Sequence, residues 1–455
     1  MKSPALLTGG LLAVCCALYA AAPAPADGEW KTQTGYNAAA AKKQLTQRLV
    51  KYVTQDTQSQ EADKVPSTPG QSKFAKELAK ELKKNGAVNV KIDSSSIVTA
   101  EIPSNLGKPA ATVGFLAHLD TALEASGRNV KPQVHTYKGG DIVIDPATHL
   151  TLAPHNAPQL LRAKGHDIVT ASGGTLLGAD DKTGIAIIMT AVQYLYDHPA
   201  FKHGTLKIAF TPDEETGAGI RHFNIPAFGA EAAYTLDGSD EGQLTVETFN
   251  ARAFTVVFEG WRAVHPGQAM HTPFADNVLM ASDFHTLLPR HKRPETTNER
   301  RGFILVDSIT TEGDRTEIKG ILRAFSTEEM QQLVQDVTQA FNTVKAMYPK
   351  GKNFSLTFTD QYQNMKGSLP PQVIHLAELA MQAEDITPQL HAARGGTDGS
   401  YLSLNGLPTP DLFSGQYNIH SELEYADVDV MEAALRTVLR LTSLWALQPP
   451  AATAL

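Results

Sequence analysis

A chain of 455 residues is too long for one small core, so two domains are expected. Its 42% apolar and 19% charged residues exclude wholesale disorder. With 40 basic against 48 acidic residues the net charge is −8, which argues against nucleic acid as a partner.

In chain order, the first 26 residues read as an export signal. Lys2 supplies a positive end, Ala5 to Ala22 is apolar, and Ala24, Pro25 and Ala26 form a small-x-small cleavage site. The expected destination is outside the cytoplasm, in a bacterial periplasm or the medium. An uncleaved anchor or a lipid-modified Cys15 stays open as an alternative, and a membrane is a partner only in those cases. Both cysteines, Cys15 and Cys16, fall in this segment. A mature chain without thiols has to build any metal site from His and carboxylates. The polar stretch that runs on to Thr34 reads as a flexible lead-in.

From Ala38 onward helices and strands alternate. Leu45, Leu49, Val50 and Val53 recur at helical spacing, as do Phe74, Leu78 and Leu82. Val113 to Leu116, Leu206 to Phe210 and Ala232 to Leu236 read as buried strands. Ile185, Ile188, Met189, Val192 and Leu195 share one face of a helix between the first two of them. The expected fold is α/β: a mixed, largely parallel sheet flanked by helices. Residues 248–360 differ. They read strand, helix, strand, strand, helix, strand, and the second helix opens with Ser326 and Glu329 at capping-box spacing. This is the order of a ferredoxin-like α+β unit, inserted between segments 27–247 and 361–455.

Five signals stand at strand ends or in adjoining loops. They are AHLDTA (117–122), TLLGADDKTGIA (175–186), AFTPDEETGAG (209–219), YTLDGSDEG (234–242) and GQYNIHSELEY (415–425). Each has a bland reading of its own. His118 and Asp120 suit a surface ion pair, Asp180 and Asp181 a helix N-cap, and Glu214 and Glu215 a solvated turn. Their joint placement is less bland. Loops at the carboxyl ends of strands in an open α/β sheet share one crevice, which brings His118, Glu214, Glu215 and Asp237 together. Carboxylates crowded there repel unless a cation neutralises them.

The motifs HLDT, GADDKTG, TPDEETG, LDG and GQYNIH, in this order, resemble the zinc-dependent aminoacylase and carboxypeptidase-G-type metallopeptidases. TPDEE, RGGTDG (394–399) and VHPG (264–267) are similar, more narrowly, to the tripeptide aminopeptidases of that superfamily. The likeness runs from about residue 42 to 445. It implies that Asp180 bridges two metals, that His118 and Asp237 complete one site, and that Glu215 and His420 complete the other. Glu214 would be the general base for a hydroxide shared by the metals, Asp120 would orient His118, and the Asp180–Asp181 bond would be cis. Segments 27–247 and 361–455 would form the catalytic domain and 248–360 a lid, in which His265 would stabilise the oxyanion and Arg323 would meet the substrate's carboxylate, although a solvated strand-face cation explains Arg323 nearly as well. The RGGTDG stretch would form a pocket loop.

Donors of this kind suit two zinc ions and can also hold cobalt or manganese. The expected substrates are short peptides, cut at the N-terminal residue of tripeptides. A dipeptidase, an N-acyl amino acid deacylase and a non-catalytic exported peptide-binding protein are the alternatives. The chain departs from its relatives at Gln416 and Ser421, where they favour glycine, and in the run 261–276 with its His271 and Phe274.

Overall fold

The computed structural model describes residues 29–262, 265–271 and 274–451. Its main sheet has eight strands, in the order 88–92, 98–102, 206–211, 113–118, 232–238, 411–413, 243–248, 389–393. The four central strands pair in parallel, strands 98–102 and 243–248 join them antiparallel on either side, and the edge strand 389–393 pairs in parallel with 243–248. Central strands are covered on both faces, which explains their unbroken apolar runs. Val113, Phe115 and Ala117 face a layer that includes helices Ala38–Val53, Ala179–Asp197 and Val428–Trp445. Leu116, the intervening residue, faces a smaller cluster with Ile220, Phe223, Phe228 and Leu402. The mixed, largely parallel α/β sheet expected from the sequence is therefore the observed one.

Strands Asn250–Glu259, Phe303–Glu312, Arg315–Ala324 and Asn353–Tyr362 form a separate antiparallel sheet, in the spatial order second, third, first, fourth. Helices Asn277–Leu287 and Thr327–Met347 bury Phe284, Leu333, Val337 and Phe341 against Phe254, Val256 and Phe258. This is the ferredoxin-like arrangement, with a core of its own. Ser326 Oγ accepts the Glu329 N–H at 3.1 Å at the N-terminus of the second helix, where the capping spacing predicts a start. Asp276 caps the first helix in the same way.

One expectation needs correction. Residues 29–34 are not a loose lead-in but a helix packed on the main domain. Trp30 is buried among Tyr36, Tyr194 and Phe201, and its Nε1 donates to Glu384 at 3.0 Å. Burying such a ring is worth roughly 2–3 kcal/mol, enough to hold a short polar segment. Residues 133–170 carry structure for which the sequence offers no reading. They supply two strands of a small sheet completed by Gln416–Tyr417 and Tyr425–Asp427, plus a hairpin at 142–152. The export signal at 1–26 lies outside the described residues.

Candidate metal centre

Each strand end delivers its side chain through a local device. The strand Val113–His118 ends on His118, and two residues later the carboxylate of Asp120 accepts the N–H groups of Glu214 (3.0 Å) and Glu215 (3.2 Å). Asp120 thus fixes the main chain of the acidic pair as well as standing 3.4 Å from His118 Nδ1. The turn carrying that pair starts at Asp213, which has a left-handed φ of 50°. An aspartate tolerates this conformation, and buried Ser67 and Gln71 hold its carboxylate. Asp237 comes from the strand Ala232–Gly238, where Asp411 accepts its N–H at 2.8 Å. Gln416 Nε2 donates to Asp237 Oδ1 at 2.9 Å, so this departure from the relatives touches a predicted ligand directly. Asp180 and Asp181 are joined by a cis peptide bond and precede the regular turns of their helix.

The structure brings His118, Asp180, Glu215, Asp237 and His420 together. Asp180 lies at the middle, its two oxygens facing different histidines: Oδ1 is 2.8 Å from His118 Nε2, and Oδ2 is 3.4 Å from His420 Nε2. Asp237 Oδ1 is 3.8 Å from His118 Nε2, and Glu215 Oε2 is 3.0 Å from His420 Nε2. Two half-sites therefore share one carboxylate. Asp181 also adjoins His118, but its oxygens are occupied by the N–H groups of His118 and Gly184.

The electrostatics show a cluster lacking positive charge. Burial first, and then the charge of Asp180, pushes Glu215 up to about 7. Burial and the same neighbour raise Asp237 well above the carboxylate range. Glu214 is raised well too, by burial and by Asp398 and Glu215. Burial also acts to raise Asp180, yet the hydrogen bonds of His118 and His420 hold it low. His420 is pushed up to about 11 by Asp180 and Glu215. Glu215 Oε1 is buried without a hydrogen-bond partner. An orphaned carboxylate oxygen beside mutually repelling carboxylates fits a pair of cations.

A cavity of about 720 Å³ opens beside the centre, lined by Glu214, Asp398, Tyr401, Arg323 and Tyr362 among others. Arg323 reaches it from the antiparallel sheet, donating to Gln361 Oε1 at 2.9 Å with its guanidinium over Tyr362. His265 lies apart: it is exposed, its Nδ1 accepts the Gly267 N–H, and it does not line the cavity. Sequence reading missed Glu424, Asp411 and Asp398, single acids in unremarkable surroundings. Only Asp398 carried a signal, its place in RGGTDG. One further acidic group, His166 with Asp427 and Asp429, is satisfied internally by Lys42 and main-chain N–H groups.

Residues 170–443 match peptidase family M20/M25/M40. Peptidase T of Clostridium botulinum (strain Loch Maree / Type A3) is 43% identical over 408 residues, 89% of this chain and 99% of that protein. Peptidase T of Geobacillus sp. (strain WCH70) is 41% identical over the same shares. Among solved structures, an aminopeptidase PepT from Bacillus cereus covers 89% of the chain and 99% of its own, with a TM-score of 0.68 and 20% identity. A Staphylococcus aureus tripeptidase covers 90% and 99%, with a TM-score of 0.71 and 18% identity. A dinuclear metal-binding peptidase from Bacillus subtilis matches at a TM-score of 0.61 and 14% identity, covering 90% and 99%. These relatives overturn the expectation of export, because peptidase T homologues are cytoplasmic enzymes. Among the described residues, no helix is long and apolar enough to cross a membrane.

Proposed function

The chain belongs to peptidase family M20/M25/M40 and, within it, to the peptidase T group of metallopeptidases, and on that premise we propose that it hydrolyses tripeptides, releasing the N-terminal residue. One observation carries the reading: a central carboxylate, Asp180, turns its two oxygens to two histidines, with Glu214 alongside and outside both half-sites. His118, Asp180 and Asp237 would hold one ion and Asp180, Glu215 and His420 the other. The donor set suits zinc, with cobalt and manganese compatible. When bound, the two ions bring the pKa of a water toward neutrality and polarise the scissile carbonyl.

The remaining work belongs to side chains. Glu214 takes the proton of the attacking water on a carboxylate oxygen and later gives it to the departing amine. Asp120 keeps Glu214 and Glu215 in place through their N–H groups. Arg323 offers a guanidinium to the peptide's C-terminal carboxylate. Residues 248–360 act as a lid, and His265 reaches the oxyanion only on its closure.

Metal-loaded protein, given di-, tri- and tetrapeptides and an N-acetylated tripeptide, is expected to cleave the free tripeptide fastest. Glu214→Gln should keep its metal content and lose at least about 10²-fold in turnover. Hydrolysis of the blocked peptide alone would discard the aminopeptidase reading in favour of a deacylase.

A further inference from the structure

Five carboxylates line the cavity: Asp180, Glu214, Glu215, Asp237 and Asp398. The proposed function employs the first four as ligands or base and leaves Asp398 without a task. This side chain is 5% exposed. Thr211 Oγ1 donates to its Oδ2 at 2.5 Å, the one hydrogen bond that its carboxylate receives among the described residues. The cations lining the cavity are engaged elsewhere. Arg221 donates to the carbonyl of Gly217, and Arg323 to Leu322 and Gln361. A carboxylate held in a cavity with half its acceptor capacity unused is costly unless a positive donor arrives from outside the fold.

Its position identifies that donor. The N–H of Asp398 points to Glu214 Oε1 at 3.3 Å, so the carboxylate adjoins the base that serves the attacking water. In a peptide cut at its first bond, the α-amine lies two bonds from the carbonyl carbon under attack, about 2.5 Å away. A group beside Glu214 is therefore within easy reach of that amine. We propose that Asp398 receives the N-terminal ammonium of the substrate and so imposes the requirement for a free amine. The inference rests on the aminopeptidase reading and adds the residue that selects the substrate class. The competing role is purely structural: Asp398 ties the end of strand Leu206–Thr211 to the helix Asp398–Leu404 through Thr211.

The test compares inhibition by an uncleaved tripeptide analogue with that by its desamino twin, using metal-loaded wild type and Asp398→Asn. Wild type should bind the amine-bearing compound about 10- to 100-fold more tightly, the range of a charge-assisted hydrogen bond. In Asp398→Asn this preference should vanish, while the desamino compound binds as before. KM for a free tripeptide should rise by the same factor. Should the Asn variant fail to fold, Asp398→Ser, which also lacks the charge and keeps a hydroxyl for Thr211, takes its place. Equal weakening of both compounds would overturn the proposal and leave the aminopeptidase reading intact. Wild type that ignores free tripeptides and cleaves acylated ones would overturn both.

Discussion

Glu424 Oε2 accepts the N–H groups of Leu177 at 2.7 Å and Gly178 at 2.6 Å, and its Oε1 accepts that of Asp180 at 3.0 Å. A single buried carboxylate thus shapes the loop that presents the bridging residue, and it does so from four residues beyond His420. Burial raises the group to about 7 against the pull of those three N–H groups. Replacing it by glutamine removes the charge and turns an amide toward donors that need an acceptor. Glu424→Gln is expected to cost about 2–3 kcal/mol, read as a lower urea midpoint with an unchanged slope. An unaltered midpoint would mean that the loop holds its shape without this contact. Nothing in SELEY marked Glu424 beforehand, because its function depends on main-chain groups some 245 positions away. The ligand candidates were legible for the opposite reason: His118 and Asp237 end apolar strands, Asp180 opens a helix, and Glu215 and His420 sit in turns, each within a motif that is recognisable locally. Gln416 falls between these cases, visible as a departure but interpretable only once its amide is seen against Asp237.

At the scale of elements, legibility follows burial. The strand Val113–His118 is buried at every position and reads as an apolar run. The edge strands Val88–Ile92 and Gln389–Ala393 are mostly exposed, carry a mixed pattern, and were not anticipated. The second helix of the ferredoxin-like unit was readable from the Ser326 cap. The junction between the two sheets was not: Arg394, after the strand Gln389–Ala393, donates to the carbonyls of Glu299 and Arg301, and Glu247, near the end of the strand Gln243–Thr248, anchors a second cluster. Glu247 takes a bidentate pair from Arg300 (3.0 and 2.6 Å), with Asn364 and Lys366 completing the cluster. Burial opposes its charge, but these hydrogen bonds lower it to about 2. A folded pKa below the unfolded value near 4.5 means that the contribution is complete above pH 4.5 and disappears as the pH falls toward 2. Arg300 and Lys366 are exposed, so solvent screening leaves about 1 kcal/mol. Glu247→Gln should therefore melt below wild type at pH 7 and draw level near pH 2.5. A constant gap across that window would remove the ion cluster from the stability of the junction.

At the scale of the whole molecule, the centre joins parts of the chain that local structure leaves separate. His118 and Asp237 come from the parallel sheet, Asp180 from the start of a packed helix, and His420 from a loop of the small antiparallel sheet. Cations bound there connect all three layers, and they bind the folded chain far better than the unfolded one, in which these donors are scattered. Each ion at 1,000 times its dissociation constant contributes about 4 kcal/mol by mass action. Its removal also leaves Glu215, Asp237 and Glu214 facing one another, groups that burial and mutual charge already push upward. Exhaustive chelation should lower the melting temperature by on the order of 10 °C and abolish peptide hydrolysis. Titration back with zinc, cobalt or manganese should restore both with two equivalents per chain. If the activity returned while the melting curve never moved, the ions would be binding a centre that the fold holds rigid without them. If neither changed on chelation, the five side chains would be an ion-pair cluster, and the family's chemistry would be absent from this chain.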